Sequence, residues 1–108
     1  MRDFLIGLLE STVGRTRVPV SHLFESIRES TDLIQRNIEA CGKRGLLRRV
    51  DDWVEINSEQ RLMLAMEALK DHADVGRVCR QLDWREFEEL ASRALEANHF
   101  SVTKHLVF

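Results

Sequence analysis

The sequence lacks a long apolar run, a CxxC pair and a glycine-rich phosphate loop. A helix that crosses a bilayer needs about 20 consecutive apolar residues. A secretory leader ends in a small-residue cleavage site, which the N-terminal segment MRDFLIGLLES does not contain. We therefore expect a cytoplasmic protein with no membrane partner. Without a glycine-rich loop, the sequence also gives no sign of a small-molecule substrate.

Cysteine and histidine are too few and too scattered to predict a metal or a catalytic centre. Cys41 and Cys79 both fall on apolar stripes, so we interpret them as small buried hydrophobes. Neither has a base beside it in the sequence, as a nucleophile would need. The four histidines are His22, His72, His99 and His105. They show no metal-ligand spacing, and the residues alone therefore predict no metal and no cofactor.

Charge is unevenly distributed along the chain. The 108 residues are 44% hydrophobic and 31% charged, which is typical of a globular chain. The net charge of -2 divides into +3 over residues 1–50 and -5 over residues 51–108. We expect any polyanionic partner to bind the basic front half.

Hydrophobic periodicity and capping signals divide the chain into short elements. The predicted order is a helix over 2–11, an extended piece at 17–20, helices capped by Ser21 and Thr31, a β-hairpin turning at Asp51-Asp52, a helix from Ser58, a break at 71–74, a short helix, a helix from Asp83 and a strand over 101–108. Asp83 with Glu86 fits a capping box. The predicted fold class is mainly α (α+β), with one small hairpin and a terminal strand.

The same periods predict which side chains face the core. In the first half these are Leu23, Phe24 and Ile27, then Ile34, Ile38 and Cys41, then Leu46, Val50, Val54 and Ile56. In the second half they are Leu62, Ala65, Met66 and Leu69, then Val75, Val78, Cys79 and Leu82, then Trp84, Phe87, Leu90, Ala91, Ala94 and Leu95. On the last helix, Glu86 and Glu89 are predicted to lie outside, and Glu88 at the edge of the apolar face.

The order of helix, short strand, two helices and hairpin over residues 1–57 resembles a winged helix-turn-helix domain. The segment GLLRRVDDWVEI stands where such domains have their wing. The resemblance implies a third helix that enters the major groove of DNA and a hairpin that contacts the backbone or the minor groove.

The third helix and the hairpin carry the candidate DNA-binding residues. Gln35 and Arg36 are of the types that read base edges. The candidate phosphate ligands are Lys43, Arg44, Arg48 and Arg49, with Arg15 and Arg17 as possible additions to the surface. An alternative explains the helix charges as a solvated face in which Arg36 pairs with Asp32 and Lys43 with Glu39.

The last part of the chain, LDWREFEELASRALEANHFSVTKHLVF, resembles the start of Mrr-type restriction-endonuclease domains and their archaeal relatives, which include the Holliday-junction resolvases. The preceding HADVGRVCRQLDW resembles the connector found where such a nuclease follows a winged helix. The resemblance places Glu88 at the helix glutamate that lies near the metal site of these nucleases. It also implies an Asp and a Glu-x-Lys pair that hold Mg²⁺, and this sequence contains neither. His99 stands where the family has Gly, a residue suited to a positive φ.

Together these observations predict a DNA-binding module, the targeting part of an Mrr-like nuclease, that is not an enzyme as a 108-residue chain. The predicted divisions are a winged helix at 1–57, a helical connector at 58–82, and the first helix and strand of a nuclease domain at 83–108. Mg²⁺ is expected only if a complete nuclease domain follows. The competing prediction is a protein-interaction module that does not bind DNA. Dimerisation through residues 60–108 would cover the apolar face of the last helix.

Overall fold

The computed structural model describes the backbone of residues 1–97 and the side chains as far as Arg93. The elements in chain order are α1 (Arg2–Ser11), β1 (Arg17–Pro19), α2 (Val20–Ser26), α3 (Thr31–Lys43), β2 (Arg48–Val50), β3 (Trp53–Glu55), α4 (Ser58–Lys70), α5 (Val75–Arg80) and α6 (Trp84–Ala97). The described part is mainly helical with a three-stranded antiparallel sheet, so the predicted α+β class is confirmed. The strand predicted over 101–108 lies outside the described residues. In the part that is described, no helix is long and apolar enough to cross a membrane.

The sheet joins an early strand to the predicted hairpin. Its order is β1-β3-β2, with β3 in the centre and antiparallel to both neighbours. The hairpin turns at Asp51-Asp52 as predicted, and Asp51 takes a φ of 53°, which aspartate tolerates better than most residues. Val18 lies opposite Val54, and both are buried, so this face of the sheet is directed towards the core.

The core is formed mainly by α1, the inward stripe of α3 and one side of α4. The predicted stripe of Ile34, Ile38 and Cys41 is buried, which confirms the orientation of α3. Helix α4 packs against α1 and α6. Its predicted Leu62 and Ala65 are buried and its Met66 and Leu69 are half-buried, but Leu64 and Ala68 are also fully buried. A helix covered on two sides has a wider buried surface than a single stripe.

Two helix caps differ from the prediction. Helix α2 is preceded by Pro19 rather than capped by Ser21, because Val20 N–H donates to Asp52 O and the helix therefore starts directly from the sheet. Helix α3 is capped by Ser30 and not Thr31, since the Ser30 hydroxyl accepts from Leu33 N at 3.3 Å. Helix α3 therefore begins one residue before the predicted position and helix α2 two residues before it.

Two predicted core residues before α6 are exposed. Val50 lies opposite Trp53 because the two-residue turn pairs them, and this places it on the outer face of the sheet while Leu47 fills the core instead. Val75 is 62% exposed, because it is the first residue of α5 and only Val78 of that short helix is fully buried.

Helix α6 is rotated relative to the prediction. Its predicted capping box is confirmed: Glu86 N donates to Asp83 Oδ1 at 2.7 Å, and Asp83 N donates to Glu86 Oε1 at 3.0 Å. Leu90 is buried, but the predicted inward residues Trp84, Phe87 and Ala91 are exposed. The side chains of Ala94 and Leu95 lie outside the described residues.

The prediction that Glu86 faces water is wrong, because a buried arginine of α4 attracts it inward. Arg61 Nε donates to Glu86 Oε2 at 2.9 Å, and these two residues are only 6% and 8% exposed. The Arg61 guanidinium also donates to Leu9 O at 3.0 Å, to the Thr12 hydroxyl and to Gln81 O. Its donors therefore join the end of α1 and the α5–α6 junction to α4.

A second arginine strengthens the contact between α4 and α6 near the surface. Arg93 donates to both carboxylate oxygens of Glu59, at 2.8 and 2.9 Å, and to Glu89 at 3.0 Å. The hydrogen bond from Arg93 lowers the pKa of Glu59 below its usual value. Because this pKa is lowered by folding, the contribution of the pair to stability is present at neutral pH and is lost as acid protonates Glu59.

Replacing Arg61 with Met is expected to lower the free energy of unfolding by about 3–5 kcal/mol, because Glu86 would keep its charge in the interior without a cation. Adding Glu86→Gln should recover part of that loss, since Gln retains the cap on α6 and carries no charge. Urea unfolding of the single and double variants measures the coupling. Strictly additive effects of the two substitutions would show that the pair is not coupled.

Replacing Gly7 with Ala is expected to destabilise the fold by about 1–3 kcal/mol through overpacking. A Cβ at this position would lie 2.6 Å from Cγ1 of the buried Ile27, where α1 meets the end of α2. Gly42→Ala is the matched control, because the nearest atom there is Leu47 Cδ1 at 3.7 Å. Thermal melts should show a lower Tm for the first variant only, and equal Tm values for the two would contradict the packing described for α1.

Candidate nucleic-acid interface

The outer face of α3 presents the side chains expected to read DNA. Gln35, Arg36 and Lys43 are all exposed on this helix, opposite the buried stripe. The alternative pairing of Arg36 with Asp32 and of Lys43 with Glu39 is not formed within 4 Å in the described structure. The two cations therefore remain available to a ligand, although the two carboxylates share their surface.

Arg44 differs from the other candidates because it already has an internal partner. Its Nη2 lies 3.0 Å from Glu67 Oε1 of α4, and Lys70 approaches the same carboxylate at 3.7 Å. Arg44 also follows α3 as its C-cap, beside Gly45 with a φ of 75°. We therefore assign Arg44 chiefly to holding the end of α3 against α4.

The two hairpin arginines lie on opposite faces of the sheet. Arg49 is opposite Val54, on the side towards α3, whereas Arg48 is opposite Glu55, on the outer side. Both are exposed. Arg49 Nε donates to Asp51 O at 3.1 Å, which orients its side chain along the turn.

A groove between α2, α3 and the hairpin brings Gln35 and Arg49 together. Its lining is Pro19, Val20, Ser21, Phe24, Gln35, Arg49, Asp52 and Trp53. The structure thus places one candidate base-reading residue and one candidate phosphate ligand on a common surface. Arg48 is not part of this lining.

Trp53 and Arg17 form a pair that the sequence did not single out. The guanidinium carbon of Arg17 lies 4.6 Å from the centre of the Trp53 ring, within the range of a cation–π contact. The register of β1 with β3 is the feature that could have predicted this contact. Pro19 lies opposite Trp53, and Arg17 lies two residues before Pro19 on the same face of the sheet. The sequence alone does not give the register of the strands. It predicts Arg17 only as an addition to the basic surface.

The electrostatics of this region are balanced rather than strongly basic. Residues 31–57 contain five Lys or Arg and five Asp or Glu. Attraction to phosphate therefore depends on where the cations lie: carboxylates cluster at the hairpin tip, while Arg36, Lys43 and Arg48 stand apart from it. Binding through so few cations would be moderately, not steeply, dependent on salt.

The remaining candidates for catalysis or metal binding in the described part of the chain are Glu88 and the two cysteines. Glu88 is exposed on α6, and the described residues contain no group of His, Cys, Asp or Glu that could hold a metal ion. Cys41 is buried as expected, and Cys79 is half-buried. Burial raises the pKa of the Cys41 thiol, an effect that exceeds the opposing influence of Arg44. The thiol is therefore neutral at physiological pH and unsuited to act as a nucleophile.

Neither resemblance described from the sequence has a counterpart among the proteins compared with this chain. Comparisons with protein-family models, with curated proteins and with solved structures found no match. The assignment of function therefore rests on the geometry of α3, the hairpin and the sheet.

Proposed function

We propose that the chain is a module that binds double-stranded DNA, with residues 1–57 forming a winged helix-turn-helix domain in which β2 and β3 are the wing. The observation that carries this proposal is the groove that contains both Gln35 of α3 and Arg49 of the hairpin. The order α1-β1-α2-α3-β2-β3 supports it, because this is the order expected of a winged helix.

In this proposal α3 lies in the major groove with Gln35 and Arg36 directed at base edges. Lys43 and Arg49 bind the phosphates on either side, and Arg48 binds a phosphate along the outer side of the wing. Asp32 and Glu39 limit the affinity, since carboxylates near phosphates are repelled. Arg44 contributes less than its charge suggests, because Glu67 already pairs with it.

We further propose that the module is the targeting part of an Mrr-like nuclease and does not cleave DNA by itself. The support is the resemblance over residues 82–108, together with a helix α6 that begins at the capping box of Asp83 and Glu86. Mg²⁺ would be needed only by catalytic residues that this sequence does not contain. Nicking of plasmid DNA by the purified chain in the presence of Mg²⁺ would disprove this part of the proposal.

Replacing Arg48 and Arg49 together with Ala should weaken binding to any duplex sequence similarly, because phosphate contacts carry no sequence information. The slope of log K against log salt should become shallower by about 2, roughly one for each lost contact. Fluorescence anisotropy at several salt concentrations gives both quantities. Arg80→Ala with Arg85→Ala, which removes the same charge from α5 and α6, is the matched control. Equal affinity of the hairpin variant and this control would remove the wing from the interface.

A second function, self-association through α6, is favoured by its exposed aromatic pair. Trp84 is 72% exposed and stacks on Phe87 with ring centres 6.0 Å apart. Ala91 continues the same exposed stripe one turn further on. A contiguous apolar helix face of this kind is typical of a protein–protein contact. A homodimer through residues 60–108 would bury it.

If α6 forms a dimer, light scattering should give a mass near twice 12.6 kDa at micromolar concentration. Trp84→Ser with Phe87→Ser should then give a monomer that remains folded, since neither residue belongs to the buried core. Val13→Ser with Leu33→Ser removes exposed apolar side chains outside residues 60–108 and should leave the mass unchanged. A monomeric mass for the unmodified chain at all concentrations would rule out the dimer.

A further inference from the structure

The outer face of the three-stranded sheet is a defined surface of six residues. By register, Trp53 lies between Pro19 and Val50 in one row, and Glu55 lies between Arg17 and Arg48 in the next. We call these six residues the outer sheet face. On the opposite face Val18 and Val54 are buried in the core, and Arg49 is exposed beside Val54.

The centre of the outer sheet face is an aromatic side chain that is not covered by the fold. Trp53 is 38% exposed and has the Arg17 guanidinium at 4.6 Å from its ring centre. Glu55 lies directly between the two arginines, yet neither forms an ion pair with it within 4 Å in the described structure. Arg17 is therefore held as a planar partner of the indole, and Arg48 keeps a free positive charge beside it.

An exposed tryptophan flanked by arginines is suited to unpaired nucleotides. Nucleobases stack on indole rings and on guanidinium planes, and the nearby cations attract the phosphates. In a duplex both faces of each base are covered by its neighbours, so an aromatic surface of this kind can be used only by a base that is out of the helix. The duplex contact proposed above uses α3 and Arg49, in a groove whose lining also includes Pro19 and Trp53, so the two contacts adjoin at this tryptophan.

We propose that the outer sheet face binds the unpaired nucleotides next to a duplex end, with a base stacked against the Arg17–Trp53 pair and its phosphate at Arg48. This inference rests on the proposed binding of double-stranded DNA and names the class of DNA that the module prefers. Arg49 then contacts the duplex in the groove, and Arg48 contacts the backbone along the outer side of the wing, where a single-stranded extension continues from the duplex. A duplex with a single-stranded extension is therefore bound more tightly than a blunt one.

The test compares a blunt duplex with the same duplex carrying a short oligo-dT extension, by fluorescence anisotropy. The unmodified chain should bind the extended duplex about five- to a hundredfold more tightly, as expected for one stacked base. Trp53→Leu keeps apolar volume but removes the stacking surface, so this preference, taken as the ratio of the two affinities measured on the same variant, should disappear. Trp84→Leu, which alters the tryptophan of α6, should keep the preference.

A second measurement does not depend on altering Trp53. In a Trp84→Phe chain Trp53 is the only remaining tryptophan, and stacking of a base should quench its emission when the extended duplex is added but not with the blunt one. An equal preference in Trp53→Leu, or emission that the extension does not change, would overturn the inference. If the chain binds the blunt and the extended duplex equally tightly, the inference is overturned but the proposed function stands. Binding of oligo-dT but of no duplex would retain the stacking surface and refute the proposed function, whereas binding of neither would refute both.

Discussion

The guanidinium of Arg61 is the group on which the arrangement of the whole described chain depends. It is buried, and its donors reach the carbonyl at the end of α1, the Thr12 hydroxyl, the α5–α6 junction and the carboxylate of Glu86. A buried arginine is costly unless all of its donors have partners, so these contacts specify one position for α6 against α4. These contacts join α4 and the α5–α6 junction to the end of α1.

This constraint also explains the two surfaces that remain open. Because Glu86 is directed inward, the stripe that contains Trp84, Phe87 and Ala91 is directed outward. The other open surface lies on the sheet, where the short β1 pairs with β3 and brings Arg17 over Trp53. The groove and the outer sheet face share no residue with the apolar stripe of α6.

Local signals in the sequence were enough for the elements and for part of the core. The stripe of α3, the turn at Asp51-Asp52 and the capping box of α6 depend on residues a few positions apart, and all were predicted correctly. The errors came from tertiary partners. A helical wheel placed Glu86 outside because it takes no account of Arg61, which lies 25 residues away. Likewise, strand alternation could not show that the turn pairs Val50 with Trp53, nor that Arg17 reaches that tryptophan.

The sequence predicted the exposure of the candidate DNA-binding residues better than it predicted their arrangement. Five of its six residues are exposed without an internal carboxylate partner in the described structure, whereas Arg44 pairs with Glu67. With equal numbers of cations and anions over residues 31–57, the proposed DNA binding depends on the positions of the cations and not on net charge. Amide hydrogen exchange with and without duplex DNA tests this most directly. The account predicts protection confined to α3 and the β2–β3 hairpin, and protection confined to α6, or none at saturating DNA, would contradict it.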